Sequence, residues 1–330
     1  MQPYKCVTIS IKFSFDTDFS LKQGLLSHES KFKKMGGIFT KKQSSVSYNE
    51  ERIIKILEQE HQRILHERIY HSCSISVQPE NIVKNRYRFS PCFDYNRVIL
   101  PADNGESGYI NANHVNGYKT RGKYLCCQGP LPSTAEDFYK MVFGYQSRVI
   151  VMLTKTHEEG QEVCYQYWSP KKGNTVFFGD FTIETRQVKT YRDHIVTKLR
   201  VTDDSEDSLD ITHFAYTDWP FKSVPRSPTD FLNFVLKVRK AQAYAEFDNK
   251  SSNFSPMVVH CSAGLNRTGT FCALDISISR YNESVTIDLG TVVRDLRKQR
   301  YNCLSMPMHY IFCYFTVLEY VKLSAKKTGC

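Results

Sequence analysis

The sequence predicts an α/β domain built on a highly twisted, mixed β-sheet that is flanked by helices. Short β-type runs separated by turns occupy residues 87–199, and helical patterns dominate after residue 226. With 330 residues, of which 41% are hydrophobic, the chain is long enough to bury one sizeable core. No internal repeat or second-domain boundary interrupts the pattern, so we expect a single large domain.

The N-terminal segment differs in composition from the rest of the chain. Residues 1–46 are rich in Ser and Lys without a sustained hydrophobic period, so we expect a disordered extension. At Ser47 a capping box begins, with Glu50 three positions later, and apolar residues at helical spacing predict an amphipathic helix of about five to six turns. We assign the domain to residues 47–325 and a C-terminal tail to 326–330.

The first half of the domain reads as strands and turns. Gly173-Asn174 and the acidic stretch 203–210 are typical of turns. The predicted strands are 109–115, 124–127, 149–153, 163–168, 181–183 and 194–201.

The second half reads mainly as helices. Ser227 followed by Pro228 indicates a helix start, with an N-cap and a proline at the first helical position. Residues 257–259 are predicted as a short buried strand, and 270–281 and 309–323 as helices. The helix that starts at Pro228 is expected to have an apolar face made of Phe231, Phe234, Val235 and Val238.

Composition limits the cellular setting and the class of partner. No run approaches the roughly 18 consecutive apolar residues of a membrane span, and residues 1–20 lack a signal-peptide core. We therefore expect a cytoplasmic protein whose 11 cysteines stay reduced, since their number is odd and Cys126 and Cys127 are adjacent. A formal net charge of +10 favours an anionic partner such as a phosphopeptide, a nucleic acid or an acidic membrane surface.

Residues 258–270 are the most informative about chemistry. They begin as a buried strand, continue as a loop of small residues and end as the start of a helix. Successive backbone N–H groups of such a loop turn inward and the helix N-terminus adds its positive end, so a phosphate dianion fits between them. Cys261, at the start of the loop, would be a thiolate able to attack phosphorus.

Arg267 follows Cys261 at a spacing that suits a single phosphoryl group. Five residues separate them, so the loop wraps around the phosphate while the guanidinium binds its oxygens in a bidentate manner. Thr268 is placed to donate a hydrogen bond to the cysteine sulfur. The alternative is a structural cysteine on a core strand with an arginine on a helix surface. The full pattern His-Cys-x2-Gly-x2-Arg-Thr-Gly favours phosphate chemistry.

Spacing excludes two other kinds of site. A Walker-type nucleotide loop needs Gly-Lys-Ser or Gly-Lys-Thr after a glycine-rich turn, and the sequence has neither. The cysteines and histidines lack the paired spacing that zinc requires. We therefore expect no metal and no cofactor.

The loop resembles the signature of the tyrosine-specific, cysteine-dependent protein phosphatases, and the likeness extends over roughly residues 48–325. It implies a single protein-tyrosine-phosphatase domain. The other segments that resemble this family's motifs are Lys84-Asn85-Arg86-Tyr87, 94–100, 109–112, 128–132 and 166–168.

The resemblance also implies roles for individual residues. Tyr87 would stack on the substrate ring and set the depth of the pocket, Arg88 would be a second substrate-binding position, and Glu158 would pair with Arg267 and orient it. Without the resemblance, Tyr87 reads as a core tyrosine and Glu158 as a solvated turn residue. The loop positions implied to bind substrate are Ser262, Ala263, Gly264, Leu265 and Asn266.

The most consequential departure from the family concerns the general acid. Where the family's mobile loop has Trp-Pro-Asp, this sequence has Trp219-Pro220-Phe221, and phenylalanine cannot protonate a leaving phenolate. General acid catalysis is typically worth about 10²–10⁴ in rate. Asp218 could replace the missing acid through a shift of the loop, although a tryptophan and a rigid proline separate it from the Phe221 position.

Further departures concern hydrolysis and peptide binding. Ser305 stands where the family has a glutamine that orients the attacking water, and His309 occupies a second glutamine position. Phe89 replaces an aspartate that holds the peptide backbone, and Asn266 replaces a glycine of the signature loop. Binding groups are kept and turnover groups are lost. This favours a binder of phosphotyrosine proteins, or a slow enzyme, over an active phosphatase that uses a Cys261 phosphoenzyme.

This pattern resembles the tyrosine-phosphatase-like families of parasitoid-wasp bracoviruses. That narrower resemblance implies action in the host cell cytoplasm on phosphotyrosine signalling in insect blood cells. Phosphatase action on RNA 5′ ends or phosphoinositides would suit the positive charge, but the deep wall implied for Tyr87 favours an aryl phosphate. We expect a monomer that does not bind nucleic acid.

A last motif depends on where translation starts. If it starts at Met35, residues 35–40 fit the myristoylation pattern, which would add weak membrane association. The written chain begins at Met1, and an ordinary flexible segment is the alternative.

Overall fold

The computed structural model describes residues 48–101, 108–248 and 254–328. The helices are α1 (Tyr48–His66), α2 (Pro79–Ile82), α3 (Ala135–Gly144), α4 (Pro228–Asp248), α5 (Asn266–Ser284), α6 (Leu289–Gln299) and α7 (Pro307–Thr328). The strands are β1 (Arg97–Ile99), β2 (Tyr109–Val115), β3 (Tyr124–Cys127), β4 (Val149–Met152), β5 (His157–Glu158), β6 (Gln161–Glu162), β7 (Thr175–Phe178), β8 (Phe181–Thr190), β9 (His194–Thr202), β10 (Ser208–Tyr216) and β11 (Met257–His260).

Nine of the strands in the described residues form one mixed sheet in the order β1-β2-β3-β11-β4-β10-β9-β8-β7. The neighbours β3, β11, β4 and β10 run parallel to one another, and the flanking strands pair antiparallel. Strands β5 and β6 form a separate hairpin. The predicted fold class, a twisted mixed sheet with flanking helices, is confirmed.

Each face of the sheet carries its own layer of the core. On one face, helices α1 and α4 to α7 pack on side chains that include Cys126 and Val259. On the other face, α3 and residues 163–168 pack on side chains that include Cys127 and Val258. Successive residues of a strand point to opposite faces, so sequence neighbours belong to different layers. The central strands are buried on both faces and therefore read as continuous apolar runs.

Most predicted elements are present. The predicted strands 109–115 and 124–127 coincide with β2 and β3, and the predicted helices 270–281 and 309–323 lie within α5 and α7. Helix α1 has 19 residues, as the predicted five to six turns require, although Ser47 lies outside the described residues. The face expected to be apolar on α4 is buried.

The prediction of a strand at 163–168 is wrong. Its apolar alternation reflects packing beneath the sheet, because Tyr167 is buried there and its hydroxyl lies 2.7 Å from the ring nitrogens of both His213 and His260. The backbone N–H of Tyr165 donates to the Pro130 carbonyl at 2.9 Å, which is a loop contact. Burial alone produced a pattern that looks like a strand.

The stretch 203–210 is only partly a turn. The turn ends at Asp207, where the Asp203 carboxylate accepts backbone N–H bonds from Ser205 and Asp207 at 3.2 and 2.9 Å. Strand β10 then begins at Ser208 and pairs with β9, burying Leu209. Tertiary pairing therefore outweighs the acidic composition. Strand β7 and helices α3 and α6 are further elements that the sequence patterns do not predict.

Some expectations concern parts of the chain that the structure does not describe. The predicted extension 1–46, including the motif at Met35, lies outside the described residues, and the domain boundaries stay predictions. None of the helices in the described part of the chain combines the length and apolar character needed to span a bilayer.

Replacing Ser227 by alanine is expected to lower the free energy of unfolding by about 0.5–2 kcal/mol. The Ser227 hydroxyl accepts a hydrogen bond from the Asp230 backbone N–H at 3.1 Å, which confirms the predicted N-cap of α4. Chemical denaturation measures the change. Ser227→Asp keeps an acceptor at the cap and serves as the control, so an equal loss in both variants would contradict the capping role.

Candidate active site

The loop 261–265 joins the central strand β11 to helix α5, so it lies at the carboxyl ends of the parallel strands. Gly264 has a φ of +68°, and a Cβ there would lie 2.2 Å from the Cys127 carbonyl oxygen. Only glycine fits this approach, because any side chain would collide with backbone. The tight turn lets the loop close directly above the sheet.

Cys261 and Thr268 meet at the base of this loop. The Thr268 hydroxyl donates to the Cys261 sulfur at 3.3 Å, and both side chains are buried. Thr268 belongs to the first turn of α5, so the sulfur also lies near the positive end of the helix dipole. The structure thus places Thr268 where the sequence predicts.

Arg267 is held by Glu158 in a two-point ion pair. Nη1 donates to Oε1 at 2.5 Å and Nη2 to Oε2 at 2.8 Å, and Nη1 also donates to the Leu153 carbonyl at 3.2 Å. Burial by itself would raise the pKa of Glu158. The hydrogen bonds and charge of Arg267, with the Thr154 hydroxyl, outweigh burial and lower that pKa. The guanidinium therefore has a fixed orientation before any ligand arrives.

Tyr87 is tied to the loop from the side. Its hydroxyl lies 2.8 Å from the Ser262 hydroxyl, and the Ser90 hydroxyl donates to the Ala263 carbonyl at 3.2 Å. Arg88 between them is exposed. The structure therefore brings Tyr87, Ser262, Cys261 and the Arg267–Glu158 pair into one site. Leu265 is buried at the end of the loop.

Sequence reasoning overlooked two residues that fix the Tyr87 segment. The Gln128 side chain accepts from the Arg86 backbone N–H at 2.8 Å and donates to the Lys84 carbonyl at 2.7 Å. The Arg86 guanidinium donates to the carbonyls of Gly129 and Pro130 at 3.1 and 2.6 Å. Both residues stand in motifs that the sequence resemblance already marks, so the signal for them was present.

A third overlooked residue, Arg300, lies buried behind the loop. It donates to the carbonyls of Gly264 and Ala263 at 3.3 and 3.4 Å. It also donates to the side-chain oxygens of Asn111 and Asn113 at 2.6 and 2.8 Å and to the Cys92 sulfur at 3.1 Å. Two carbonyls of the loop thus face Arg300. No pattern in the sequence distinguishes Arg300 from the other arginines.

Trp219 and His309 form the floor beneath Arg267. The Arg267 Cζ lies 5.6 Å from the Trp219 ring centroid, and the Trp219 ring stacks on His309 at 5.8 Å. Burial, followed by the charges of Arg267 and His61, lowers the pKa of His309 to about 3. His309 is therefore neutral at physiological pH and supplies no acidic proton.

The remaining departures from the family pattern lie around the loop. Phe221 is 43% exposed, with the Lys222 Nζ 5.2 Å from its ring centroid. Asn266 faces the segment that contains Ser305, because its Oδ1 accepts from the Ser305 hydroxyl at 3.3 Å and from the Met306 N–H at 3.2 Å. Asp218 is exposed, and its charge contributes to raising the pKa of Tyr216 after burial and Asp193.

A loop that joins a central strand to a helix, with a cysteine at its base and an ion-paired arginine above it, defines a cysteine-dependent phosphatase site. The chain belongs to the protein-tyrosine phosphatase family, because the family model described as protein-tyrosine phosphatase matches residues 81–319.

Similar proteins include several from one virus. Tyrosine phosphatase-like protein J1 of Microplitis demolitor bracovirus is 45% identical over 87% of this chain and 98% of its own length. Tyrosine phosphatase H2 of the same virus is 38% identical over 83% of this chain and 86% of its own length. Human tyrosine-protein phosphatase non-receptor type 9 is 36% identical over 75% of this chain and 43% of its own length. The predicted resemblance to the protein-tyrosine phosphatase family and to the bracovirus tyrosine phosphatase-like proteins is confirmed.

Glu158→Gln is expected to lower the free energy of unfolding near neutral pH by about 1–3 kcal/mol, because the partly buried guanidinium of Arg267 loses a charged partner. The pKa of Glu158 is depressed in the folded protein, so its stabilising effect is complete above the ordinary carboxyl value of about 4.5 and disappears as the pH falls through the folded value. The difference between wild type and variant should therefore shrink in acid.

Denaturant unfolding at several pH values measures this difference. Glu162→Gln is the matched control, since Glu162 also pairs with an arginine but is more exposed, and it should cost less than about 1 kcal/mol. A Glu158→Gln effect that is independent of pH would contradict the assigned ion pair.

Proposed function

We propose that this protein binds phosphotyrosine proteins through the loop from Cys261 to Arg267 and hydrolyses them poorly. The observation that carries the proposal is the two-point Glu158–Arg267 pair, which fixes the guanidinium beside the Cys261 loop. Because Arg300 holds the carbonyls of Ala263 and Gly264, the loop backbone needs little rearrangement to bind. Preorganisation of this kind lowers the cost of binding an anion.

An aryl phosphate suits the site better than an alkyl phosphate. Tyr87 is anchored to Ser262, and this contact supports a ring-stacking wall at a fixed distance from the phosphate loop. Stacked or edge-on aromatic rings gain about 0.5–1.5 kcal/mol beyond area burial. Arg88 lies exposed beside this wall, where a cation would favour a negatively charged phosphopeptide.

The expected weakness lies in proton transfer. Phe221 has no proton to give to a leaving phenolate, and His309, with a pKa of about 3, is neutral. Asp218, the other candidate acid, is exposed and is separated from the Phe221 position by Trp219 and Pro220. These observations support a protein that captures phosphotyrosine more effectively than it releases phosphate.

The alternative function is an active protein-tyrosine phosphatase with a Cys261 phosphoenzyme. The hydrogen bond from Thr268 to the Cys261 sulfur favours it, because a hydroxyl donor stabilises a thiolate nucleophile and leaving group. A phosphoenzyme forms by attack of the sulfur on phosphorus with loss of the phenolate, and water then releases phosphate. The Phe221 position decides how fast the first step is for phosphotyrosine.

The proposal also covers a wider role, which is motivated by the bracovirus source of similar proteins. We place the protein in the cytoplasm of host cells, where a monomer that binds phosphotyrosine proteins would interfere with phosphotyrosine signalling and immune-cell function. Nucleic acid is not a partner in this proposal. Myristoylation after a start at Met35 would add weak membrane association.

Arg267→Ala is expected to weaken phosphotyrosine-peptide binding by about 100-fold or more, whereas Cys261→Ser keeps most of it. Two charge-assisted hydrogen bonds are lost in the first variant, at about 1.5–3 kcal/mol each. Calorimetric titration with a phosphotyrosine peptide, with vanadate as competitor, measures the effect. Arg200→Ala, which removes a positive charge on β9, is the control. Equal affinities of wild type and Arg267→Ala would overturn the proposed site.

Phe221→Asp is expected to raise phosphotyrosine hydrolysis, by up to about 10²-fold, and to change nitrophenyl phosphate hydrolysis much less. A phenolate with a pKa near ~10 needs a proton to leave, whereas nitrophenolate leaves without much help. The rescue should be partial because Ser305 replaces the water-orienting glutamine, so phosphocysteine should accumulate at Cys261.

The measurement is the ratio of the rates on the two substrates for wild type and variant. Phe221→Ala is the matched control, since it removes the ring without adding a carboxyl group. Wild-type hydrolysis of phosphotyrosine as fast as that of Phe221→Asp would mean that another group is the acid, and the impaired-binder proposal would fail.

A further inference from the structure

Phe89 is a large apolar side chain that the fold displays in solvent at the edge of the candidate site. It is 64% exposed, although it lies between Tyr87, which contacts the phosphate loop, and Ser90, which is fully buried. Most exposed apolar residues occur singly and need no explanation. Phe89 differs from such residues because hydrogen bonds fix the backbone on both sides of it.

The turn that carries Phe89 is fixed at several points. The Ser90 N–H donates to the Tyr87 carbonyl at 3.2 Å, and the Ser90 carbonyl accepts from the Asn111 side chain at 2.8 Å. The Ser90 hydroxyl also donates to the carbonyl of Ala263 in the phosphate loop. Phe89 is therefore attached rigidly to the candidate site while its ring remains exposed.

The ring of Phe89 stacks on the ring of Tyr87. Their centroids lie 5.0 Å apart and their planes differ by 24°. Since the Tyr87 hydroxyl bonds to Ser262, the two rings form one aromatic surface that begins at the phosphate loop and ends in solvent. A ligand whose phosphate occupies the loop would extend along this surface.

Two more segments beside the loop also expose apolar side chains. Met306 is 39% exposed, and its backbone N–H is bonded to Asn266 at the start of α5. Phe221, after the Trp219 floor, is 43% exposed. The charged neighbours in sequence, Arg88 and Lys222, are basic. The rim thus combines apolar side chains with positive charge.

We propose that Phe89 is a specificity-determining residue that selects phosphotyrosine flanked by an aromatic or large aliphatic residue. This inference rests on the proposed function and adds the substrate class. An extended peptide rises about 3.3 Å per residue, and the Phe89 ring lies 5.0 Å from the Tyr87 ring. A side chain one or two positions from phosphotyrosine therefore reaches Phe89. Contact removes apolar surface of both partners from water.

Three phosphotyrosine peptides that differ only in the residues flanking phosphotyrosine test this proposal: phenylalanine, alanine or aspartate on both sides. Binding is measured in the Cys261→Ser background so that hydrolysis does not interfere. We expect the phenylalanine peptide to bind about threefold to tenfold more tightly than the alanine peptide. Phe89→Ala should reduce that ratio to about one.

Phenyl phosphate, which has no flanking residue, separates this proposal from the proposed function. Loss of both phenyl phosphate and peptide binding in the Cys261→Ser protein would defeat the proposed function and this inference with it. A flanking preference that persists in Phe89→Ala would overturn only the role of Phe89. Tighter phenyl phosphate binding by Phe89→Ala would also overturn it, because the ring would then be covering the substrate side of Tyr87.

Phe177→Ala is the matched control for the loss of an exposed phenylalanine. Phe177 is 71% exposed on β7, at the far edge of the sheet from β1. Its replacement should leave the ratio between the phenylalanine and alanine peptides at the wild-type value. An equal loss of preference in Phe177→Ala and Phe89→Ala would contradict the proposal, since the effect would then not depend on the candidate site.

Discussion

The buried guanidinium of Arg300 holds the phosphate loop in position from behind. Its contacts to Ala263 and Gly264 in the loop and to Asn111 and Asn113 on β2 link the loop to the neighbouring part of the sheet. A buried cation is costly unless its donors find acceptors, so these residues constrain one another. The arrangement fixes the direction of these two loop carbonyls. The contacts of Cys261, Thr268 and Tyr87 all depend on that one backbone conformation.

Binding and turnover depend on different parts of the molecule. The groups that would bind a phosphate lie on the loop and on the start of α5, and the β5–β6 hairpin carries Glu158, which orients Arg267. The positions at which the family carries the groups that transfer protons and orient water are Phe221 and Ser305 in this chain, and both lie outside the loop. Substitutions at those two positions can therefore alter chemistry while the Arg267–Glu158 pair keeps its geometry. A protein that binds well and turns over slowly is physically reasonable for this reason.

Much of the fold was predictable because local patterns and tertiary structure agree. Strands β3 and β4 have two buried faces and appear as apolar runs, and Ser227-Pro228 marks the start of α4 through local capping chemistry. The prediction of strands failed where a segment is buried without pairing, or pairs despite a polar sequence. Most of residues 163–168 are buried without strand pairing, whereas Ser208–Tyr216 pairs with β9 although its start is acidic. Neither outcome is visible in a window of a few residues.

The sequence by itself determined the phosphate loop and its family, because the spacing of Cys261, Gly264 and Arg267 is a local property of one strand-loop-helix segment. It also indicated the lost acid at Phe221. The resemblance implied Tyr87 and Glu158 as distant site residues, but only the tertiary structure revealed Arg300 and the contacts that hold these residues at the loop. Arg300 lies 36 positions after Gly264 and Tyr87 lies 175 positions before Ser262. Contacts of that kind depend on how the sheet and helices pack, and no spacing along the chain encodes them.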